Sequence, residues 1–151
     1  MERPSVQIRK LDPRAQIPVY HSELAAGLDL AACLPPDEPE ITLKPGQILK
    51  IPTGFAMAIE PGYEAQVRPR SGLASKHGVT LPNAPGTIDA DYRGPVIVPL
   101  INLGREPYVI RHGTRIAQMV IAPVAHAEVE EVEELDQTVR GVGGFGSTGG
   151  H

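Results

Sequence analysis

Nine residues near the middle of the chain, GTIDADYRG at 86–94, combine two carboxylates with a tyrosine and an arginine between two glycines. If this segment is extended, Asp89 and Asp91 lie on the same side, because alternate side chains of a strand face the same way. Two explanations fit. The aspartates cap turns or pair with Arg93, or one carboxylate orients and deprotonates a water molecule. An aspartic-protease dyad is excluded because the sequence lacks the Asp-Thr/Ser-Gly pattern.

A second stretch, RPRSGLASKHG at 68–78, has residue types that suit phosphate groups. Arg68 and Arg70 carry guanidinium groups, and Ser71 and the backbone around Gly72 supply further donors. The part from 71 to 78 predicts a short helix, which Ser71 could cap, with backbone N–H groups left free for an anion. The alternative is a pair of solvated surface arginines beside a turn.

The C-terminal segment, RGVGGFGSTGGH from Arg140, contains a formal GxGxxG match at Gly141, Gly143 and Gly146. A dinucleotide loop is not expected, because no helix can follow these glycines, and a Walker A site is excluded because the segment has no lysine. Arg140 and Phe145 remain. They predict either a disordered terminus or a flexible strap whose phenylalanine stacks on a flat group when the strap closes.

Composition and charge favour one domain that binds small anions. The chain has 151 residues, 4% aromatics and no Trp, so the core must use Val, Ile, Leu and Ala, and oligomerisation would add stability. Six of the 18 acidic residues lie in 126–137, which leaves 12 against 14 Lys and Arg elsewhere. We therefore expect no broad basic face for a nucleic acid polymer, and any phosphate binding should depend on a few arginines.

Cysteine and histidine usage argues against disulfide and zinc chemistry. Cys33 is the single cysteine, which excludes an intrachain disulfide and predicts a small core residue. His77 and His112 have no partners at the spacing of zinc ligands. The sequence shows no signal-peptide pattern and no apolar stretch as long as a membrane span, so we expect a cytoplasmic protein without a membrane partner.

Sixteen Pro and sixteen Gly interrupt every apolar run before it could form three helical turns, which predicts short strands joined by turns. The turns at Pro45-Gly46 and Pro61-Gly62 suit a β-sandwich or jelly roll. The acidic run has mixed periodicity and is assigned to a strand. The predicted strands are VQIRKL near residue 6, GLDLAAC from Gly27, QILKIP from Gln47, GFAMAIE from Gly54, YEAQVRP from Tyr63, PVIVPLINLG from Pro95, YVIR from Tyr108, RIAQMVIAPV from Arg115 and AEVEEVEEL from Ala127.

Five segments, in order along the chain, resemble the five motifs of the trimeric dUTPases, the dUTP diphosphatases. They are AAGLDLAA at 25–32, RPRSGLASKHG at 68–78, PNAPGTIDADYRGPVIV at 82–98, RIAQMVIAPV at 115–124 and RGVGGFGSTG at 140–149. The resemblance implies an all-β, jelly-roll-like distorted β-barrel subunit with one short helix, assembled as a homotrimer with active sites at the subunit boundaries. Residues 1–138 would form the core, and 139–151 a flexible strap that closes over a neighbouring subunit's active site.

The resemblance also implies an activity and the residues that carry it. The reaction is hydrolysis of dUTP to dUMP and pyrophosphate with Mg²⁺, which keeps uracil out of DNA and supplies dUMP for thymidylate synthesis. Asp89 matches the catalytic aspartate that positions the attacking water, and Tyr92 the tyrosine beneath the deoxyribose. Asp29 acts through the water shell of a metal held by the substrate phosphates, or through an ion pair. The other implied substrate contacts are Asn83, Thr87, Ile88 and Ile97 for uracil and sugar, Arg70, Ser71, Gly72 and Gln118 for the phosphates, and Arg140 and Phe145 for the γ-phosphate and the base.

Two other functions compete with this one. A dCTP deaminase resembles the dUTPases but uses a glutamate in the region of Asp89, so the aspartate and the complete glycine tail argue against it. A non-catalytic nucleotide-binding trimer is disfavoured by the intact catalytic candidates. The sequence departs from the family pattern at Pro95, where a polar residue is common, and at Pro99. Since proline cannot donate to a β ladder, both should lie at an edge or a bulge.

Overall fold

The computed structural model describes residues 3–150, which form a mostly β subunit with one short helix, as the sequence predicts. Residues 1, 2 and 151, which belong to the predicted core and strap, lie outside the described residues. The helix α1 is Ser71–His77. The strands are β1 (Val6–Lys10), β2 (Leu28–Ala31), β3 (Glu40–Leu43), β4 (Ile48–Ile59), β5 (Tyr63–Arg68), β6 (Val79–Thr80), β7 (Gly86–Ile88), β8 (Pro95–Asn102), β9 (Tyr108–Arg111) and β10 (Arg115–Pro123).

The strands form two four-stranded antiparallel sheets and one two-stranded sheet. The first sheet has the order β1-β4-β8-β6, the second has the order β2-β10-β5-β7, and β3 pairs with β9. The three sheets are separate ladders, so the expected barrel is distorted rather than closed. Strands β7 and β8 follow each other in sequence but belong to different four-stranded sheets, and the loop between them therefore crosses from one sheet to the other.

Strand β4 joins two predicted strands into one of 12 residues, with an irregular register between Pro52 and Ala56. Gly54 lies at this irregularity with φ 78°. A side chain there would meet both a strained backbone and a filled space, since a Cβ would lie 2.8 Å from Cys33 Sγ and 2.9 Å from Ala15 Cβ. Glycine therefore lets β4 continue past the bend instead of ending there.

Apolar side chains from both four-stranded sheets form one core, which includes Leu30, Phe55, Val67, Val98 and Met119. In β8 the buried and more exposed residues alternate, as expected for a strand with one face on the core. Cys33 is buried, as predicted, and burial raises the pKa of its thiol.

Two local predictions are wrong. The acidic run, 126–137, contains no strand, and its apolar side chains Val129 and Leu135 are exposed. A strand needs a neighbouring strand to pair its backbone, and the described part of this subunit offers none to the run. Ser71 does not cap α1. The N-cap is Arg70, without a side-chain capping hydrogen bond, and Ser71 is the first helical residue, whose carbonyl accepts from Ser75 Oγ at 2.7 Å.

The prediction for the two prolines is confirmed. Pro95 is the first residue of β8 and pairs with Ala56, next to the irregular register. Pro99 pairs with Lys50 on one side, while β6 pairs with β8 only at residues 101 and 102 on the other. Pro99 therefore lies on a locally open edge of β8, where no residue of β6 needs the N–H that proline lacks.

Candidate functional site

The loop between β7 and β8, residues 89–94, forms one wall of a small cleft of about 230 Å³. Four predicted substrate-binding positions and the predicted catalytic aspartate meet here, together with two residues that had no predicted role. The lining is Thr87, Ile88, Asp89, Tyr92, Pro95, Val96 and Ile97. The cleft is a shallow notch between the end of one sheet and the beginning of the other, of a size that suits a single ring system.

Tyr92 is positioned by three local contacts. Its N–H donates to the Asp89 carbonyl at 3.1 Å, which closes a turn, and its hydroxyl donates to the Pro95 carbonyl at 2.9 Å. The ring lies against Gly94, where a Cβ would be 2.5 Å from Tyr92 Oη. The side chain is 44% exposed, so one face of the phenol remains available to a ligand while the hydroxyl is anchored.

Asp89 has an exposed carboxylate with no ion-pair partner among residues 3–150. The alternative expectation was a pair with Arg93. Instead, Arg93 Nη1 donates to the carbonyls of Ala90 at 2.6 Å and Tyr92 at 3.1 Å. A carboxylate without a cationic partner keeps its lone pairs available to accept from a water.

The structure also separates the two aspartates of the motif. Asp89 follows the last residue of β7, and the segment is not extended beyond it, so the two carboxylates are not alternate residues of one strand. Asp89 lines both the small cleft and a neighbouring hollow of about 670 Å³, whereas Asp91 lines only the hollow. Of the two aspartates, only Asp89 therefore lies with Tyr92 in the small cleft.

A second group of predicted residues lies on β2, β10 and the start of α1. Asp29 on β2 accepts from Arg115 Nη1 at 3.1 Å through Oδ2, and its Oδ1 is 3.8 Å from Arg70 Nε. Arg70 Nη1 also donates to the Arg115 carbonyl at 3.0 Å. Arg70 precedes Ser71 and Gly72, whose N–H groups belong to the first turn of α1 and have no partner within the helix. We call these residues, with Gln118, the arginine cluster.

Gln118 joins the arginine cluster through the sheet register. It lies opposite Asp29 on one side and Arg68 on the other. Its Nε2 donates to the Pro69 carbonyl at 3.0 Å, and a Cβ on Gly27 would lie 2.6 Å from its Oε1. The glycine therefore makes the space that the Gln118 side chain occupies.

The cleft and the arginine cluster lie at different places on the subunit. Gln118 is opposite Arg68, and Ala65 is opposite Ile88, the residue before Asp89. Asp89 is therefore displaced from Gln118 by about four residues along the strands and by two strands across the sheet. On a flat sheet this corresponds to roughly 16 Å between the Cα atoms of Gln118 and Asp89. The lining of the cleft contains no residue of the arginine cluster. Asn83 lies in the turn before β7, with its Nδ2 beside Gly86, and does not line the cleft.

Between residues 138 and 150 the hydrogen bonds are local, and no residue of this segment lines the cleft. Arg140 Nε donates to the Gly143 carbonyl at 2.7 Å, and Gly143 N–H donates back to the Arg140 carbonyl at 3.1 Å. The Phe145 ring is fully exposed, and its φ is 51°. An apolar ring in water on a glycine-rich segment has surface to bury against a partner.

Sequence reasoning missed three contributors to these two groups: Gly94, Arg115, and His21, whose Nε2 lies 3.3 Å from Asp29 Oδ2. Arg115 stands in one of the quoted motifs but had no assigned role, and its contact with Asp29 crosses from β10 to β2.

Within residues 3–150 no helix is long and apolar enough to cross a membrane. The same residues contain no group of three or more His, Cys, Asp and Glu that could hold a metal ion.

Comparison with known proteins assigns the family. The dUTPase family model matches residues 13–149. The deoxyuridine 5'-triphosphate nucleotidohydrolase of Desulfotalea psychrophila is 63% identical over 133 residues, which cover 88% of this chain and 87% of that protein.

Solved structures agree. A mutant dUTPase of Staphylococcus bacteriophage 80alpha with dUpNHpp has a TM-score of 0.82 at 28% identity, over 96% of this chain and 98% of its own. A mutant dUTPase of phage phi11 of S. aureus, described with a structural Mg(II) ion, has a TM-score of 0.76 at 26% identity, over 86% and 97%. By both sequence and fold, this chain belongs to the dUTPase family.

Proposed function

We propose that this protein hydrolyses dUTP to dUMP and pyrophosphate, and so keeps uracil out of DNA while supplying dUMP for thymidylate synthesis. The family assignment supports the reaction class. One observation carries the assignment to this site: the exposed Asp89 carboxylate, free of ionic partners among the described residues, lines the same cleft of about 230 Å³ as the anchored Tyr92 ring.

Asp89 acts as the group that orients and deprotonates the attacking water. A positioned carboxylate of this kind contributes about 10²-fold or more to the rate. Hydrolysis of a triphosphate otherwise needs little covalent help, since most of the barrier is lowered by neutralising charge and placing the water in line. Arg70 and Gln118, with the N–H groups of Ser71 and Gly72, supply that neutralisation.

Tyr92 lies beneath the deoxyribose, and its fixed ring excludes a 2′-hydroxyl. Backbone groups near Thr87, Ile88 and Ile97 hold uracil and sugar, and Asn83 contacts the base. Fixed donors and acceptors reject cytosine because the wrong base leaves buried polar groups unpaired. Rejection of thymine requires a pocket too tight for its methyl group.

We propose that the active site combines residues of more than one subunit of a homotrimer. The separation between the cleft and the arginine cluster within one subunit supports this arrangement. The strap, residues 139–151, then closes over a neighbouring subunit's site, where Arg140 contacts the γ-phosphate and Phe145 stacks on the base. The exposed Phe145 ring is consistent with that use.

The residues of the site fit a Mg²⁺ ion that arrives with the substrate rather than one held by the protein. Mg²⁺ prefers phosphate oxygens and retained waters to an all-protein cage, and Asp29 is already in contact with the guanidinium groups of Arg70 and Arg115. When bound to the triphosphate, Mg²⁺ neutralises phosphate charge. The contacts of Asp29 favour the ion-pair role, and a contact through a metal-bound water stays a prediction.

The deciding experiment measures pyrophosphate release from the four deoxynucleoside triphosphates and from UTP, with and without Mg²⁺. We expect release from dUTP alone, and dependence on Mg²⁺. Ammonia release from dCTP would instead indicate a deaminase, and binding of dUTP without turnover would indicate a non-catalytic nucleotide-binding trimer.

A further inference from the structure

His21 contacts the carboxylate at the centre of the arginine cluster. Its Nε2 lies 3.3 Å from Asp29 Oδ2, the same oxygen that accepts from Arg115 Nη1 at 3.1 Å. The Asp29 side chain is only 18% exposed, whereas that of His21 is 51% exposed. The contact therefore joins a mostly enclosed carboxylate to a half-exposed imidazole.

The backbone holds His21 in this place. The chain before β2 runs alongside that strand, where Asp29 N–H donates to the Val19 carbonyl at 3.1 Å and the two residues form an isolated bridge. His21 follows two residues later. Because the bridge fixes the distance between the two backbones, it also keeps the imidazole of His21 within reach of the Asp29 carboxylate.

The effect of this contact falls on Arg70. With Oδ2 in contact with both His21 and Arg115, Asp29 presents Oδ1 to Arg70, and the 3.8 Å to Arg70 Nε is longer than a hydrogen bond. Arg70 uses Nη1 on the Arg115 carbonyl. A guanidinium has five N–H donors, so most of those on Arg70 remain available.

We propose that His21 is a positioning residue, which keeps Asp29 Oδ2 engaged and so prevents Asp29 from forming a two-point pair with Arg70. Arginine and carboxylate groups readily form such bidentate pairs, and a pair of this kind would remove donors that a phosphate needs. Nε2 of an imidazole can carry a proton and donate it to a carboxylate oxygen. This inference rests on the proposed function, in which Arg70 binds the phosphates of dUTP.

The test compares His21→Ala with His21→Gln, whose amide nitrogen reaches about as far as Nε2. For His21→Ala we expect KM for dUTP to rise about tenfold, the effect of one hydrogen bond to a charged group, with kcat within about twofold. His21→Gln should restore KM. Tyr20→Phe, a change in the adjacent exposed side chain, is the matched control and should leave both constants unchanged. His21→Asn, which is too short to reach Oδ2, replaces His21→Ala if that variant does not fold.

A double-mutant cycle with Arg70→Ala separates this inference from the proposed function. We expect Arg70→Ala to raise KM, and His21→Ala to have no further effect in that background. If Arg70→Ala leaves KM unchanged, Arg70 does not bind the phosphates, and both that proposed contact and the role of His21 are wrong. If Arg70→Ala raises KM but His21→Ala does not, or if the two effects add, only the role of His21 is wrong. Binding of the non-hydrolysable imido analogue of dUTP, measured by calorimetry, should follow the same pattern.

Discussion

Replacing Gly94 with alanine tests whether the position of Tyr92 determines activity. Gly94 is not among the glycines with positive φ, so alanine suits its backbone. The new methyl group would lie 2.5 Å from Tyr92 Oη, 2.7 Å from Cζ and 3.0 Å from Cε2. The ring must therefore move by about 1 Å to reach an ordinary contact distance. That movement breaks the hydrogen bond from the Tyr92 hydroxyl to the Pro95 carbonyl.

Stability and activity should respond very differently to Gly94→Ala. The lost hydrogen bond costs about 1 kcal/mol of unfolding free energy, because the half-exposed ring can swing into water without disturbing the core. Activity should fall far more, since a misplacement of about 1 Å can cost about 10²-fold in rate. The assays are thermal unfolding and kcat/KM for pyrophosphate release from dUTP.

Tyr92→Phe removes the hydroxyl, and with it both the atom closest to the new methyl group and the hydrogen bond to Pro95, while Cζ remains 2.7 Å from the methyl group. In a double-mutant cycle, the effects of Gly94→Ala and Tyr92→Phe should overlap rather than add. Wild-type kcat/KM in Gly94→Ala, or strict additivity with Tyr92→Phe, would refute the reasoning that the glycine exists to admit the ring.

Three further predictions use the same assays. Asp89→Asn should lower kcat about 10²-fold or more with little change in binding of the imido analogue, since the exposed carboxylate makes no ion pair among the described residues; normal turnover would contradict this. Truncation after Thr138 should abolish most turnover but shift Tm by less than about 2 °C, because the hydrogen bonds of the tail are internal; unchanged activity would exclude the strap. Hydrogen bonds from Arg14 hold the pKa of Asp12 below its ordinary 3.8, so this pair stabilises the fold above that pH and its contribution is lost as pH falls through the folded-state pKa. Asp12→Asn should therefore lower Tm at about pH 7, and this loss should shrink as the pH falls through the folded-state pKa of Asp12; a loss of Tm that stays constant across acid pH would contradict the assignment.

The sequence predicts the elements that carry their own signal. Strands with a clear local pattern, such as β5 with its alternating sequence YEAQVR, and the two Pro-Gly turns were identified because local pattern and turn chemistry suffice for them. Strands β3, β6 and β7 have two to four residues and were missed, since so few residues show no period. The strand predicted in the acidic run is absent for the opposite reason. It has a strand-compatible pattern, but pairing depends on a neighbour that local sequence cannot specify.

The residues of the site divide in the same way, into those that one motif places together and those that only the fold brings into contact. Thr87, Ile88, Asp89 and Tyr92 lie within one motif, so the resemblance placed them together, and the structure brings them to one cleft. The contacts of Asp29 could not be found in this way, because they join a loop, β2 and β10 across the fold. Spacing along the chain says nothing about which residue opposes which until the strand register is known.

Mixing two variants that each have a low kcat/KM tests whether the active site is shared between subunits. Asp89→Asn keeps the arginine cluster intact, and Arg70→Ala keeps the cleft intact, with the two groups separated on each subunit. If each site takes the cleft from one subunit and the arginine cluster from another, trimers reassembled from an equal mixture contain intact sites. Random assembly makes about one quarter of the sites wild-type in both parts, so about one quarter of wild-type activity should return. If both groups act within one subunit, no mixture can combine them, and activity should stay at the level of the two separate variants. A mixture of Asp89→Asn with the double variant Asp89→Asn and Arg70→Ala is the control, since it supplies no intact cleft. Activity that failed to return after verified subunit exchange would show that the separation of the two groups within one subunit has been misread.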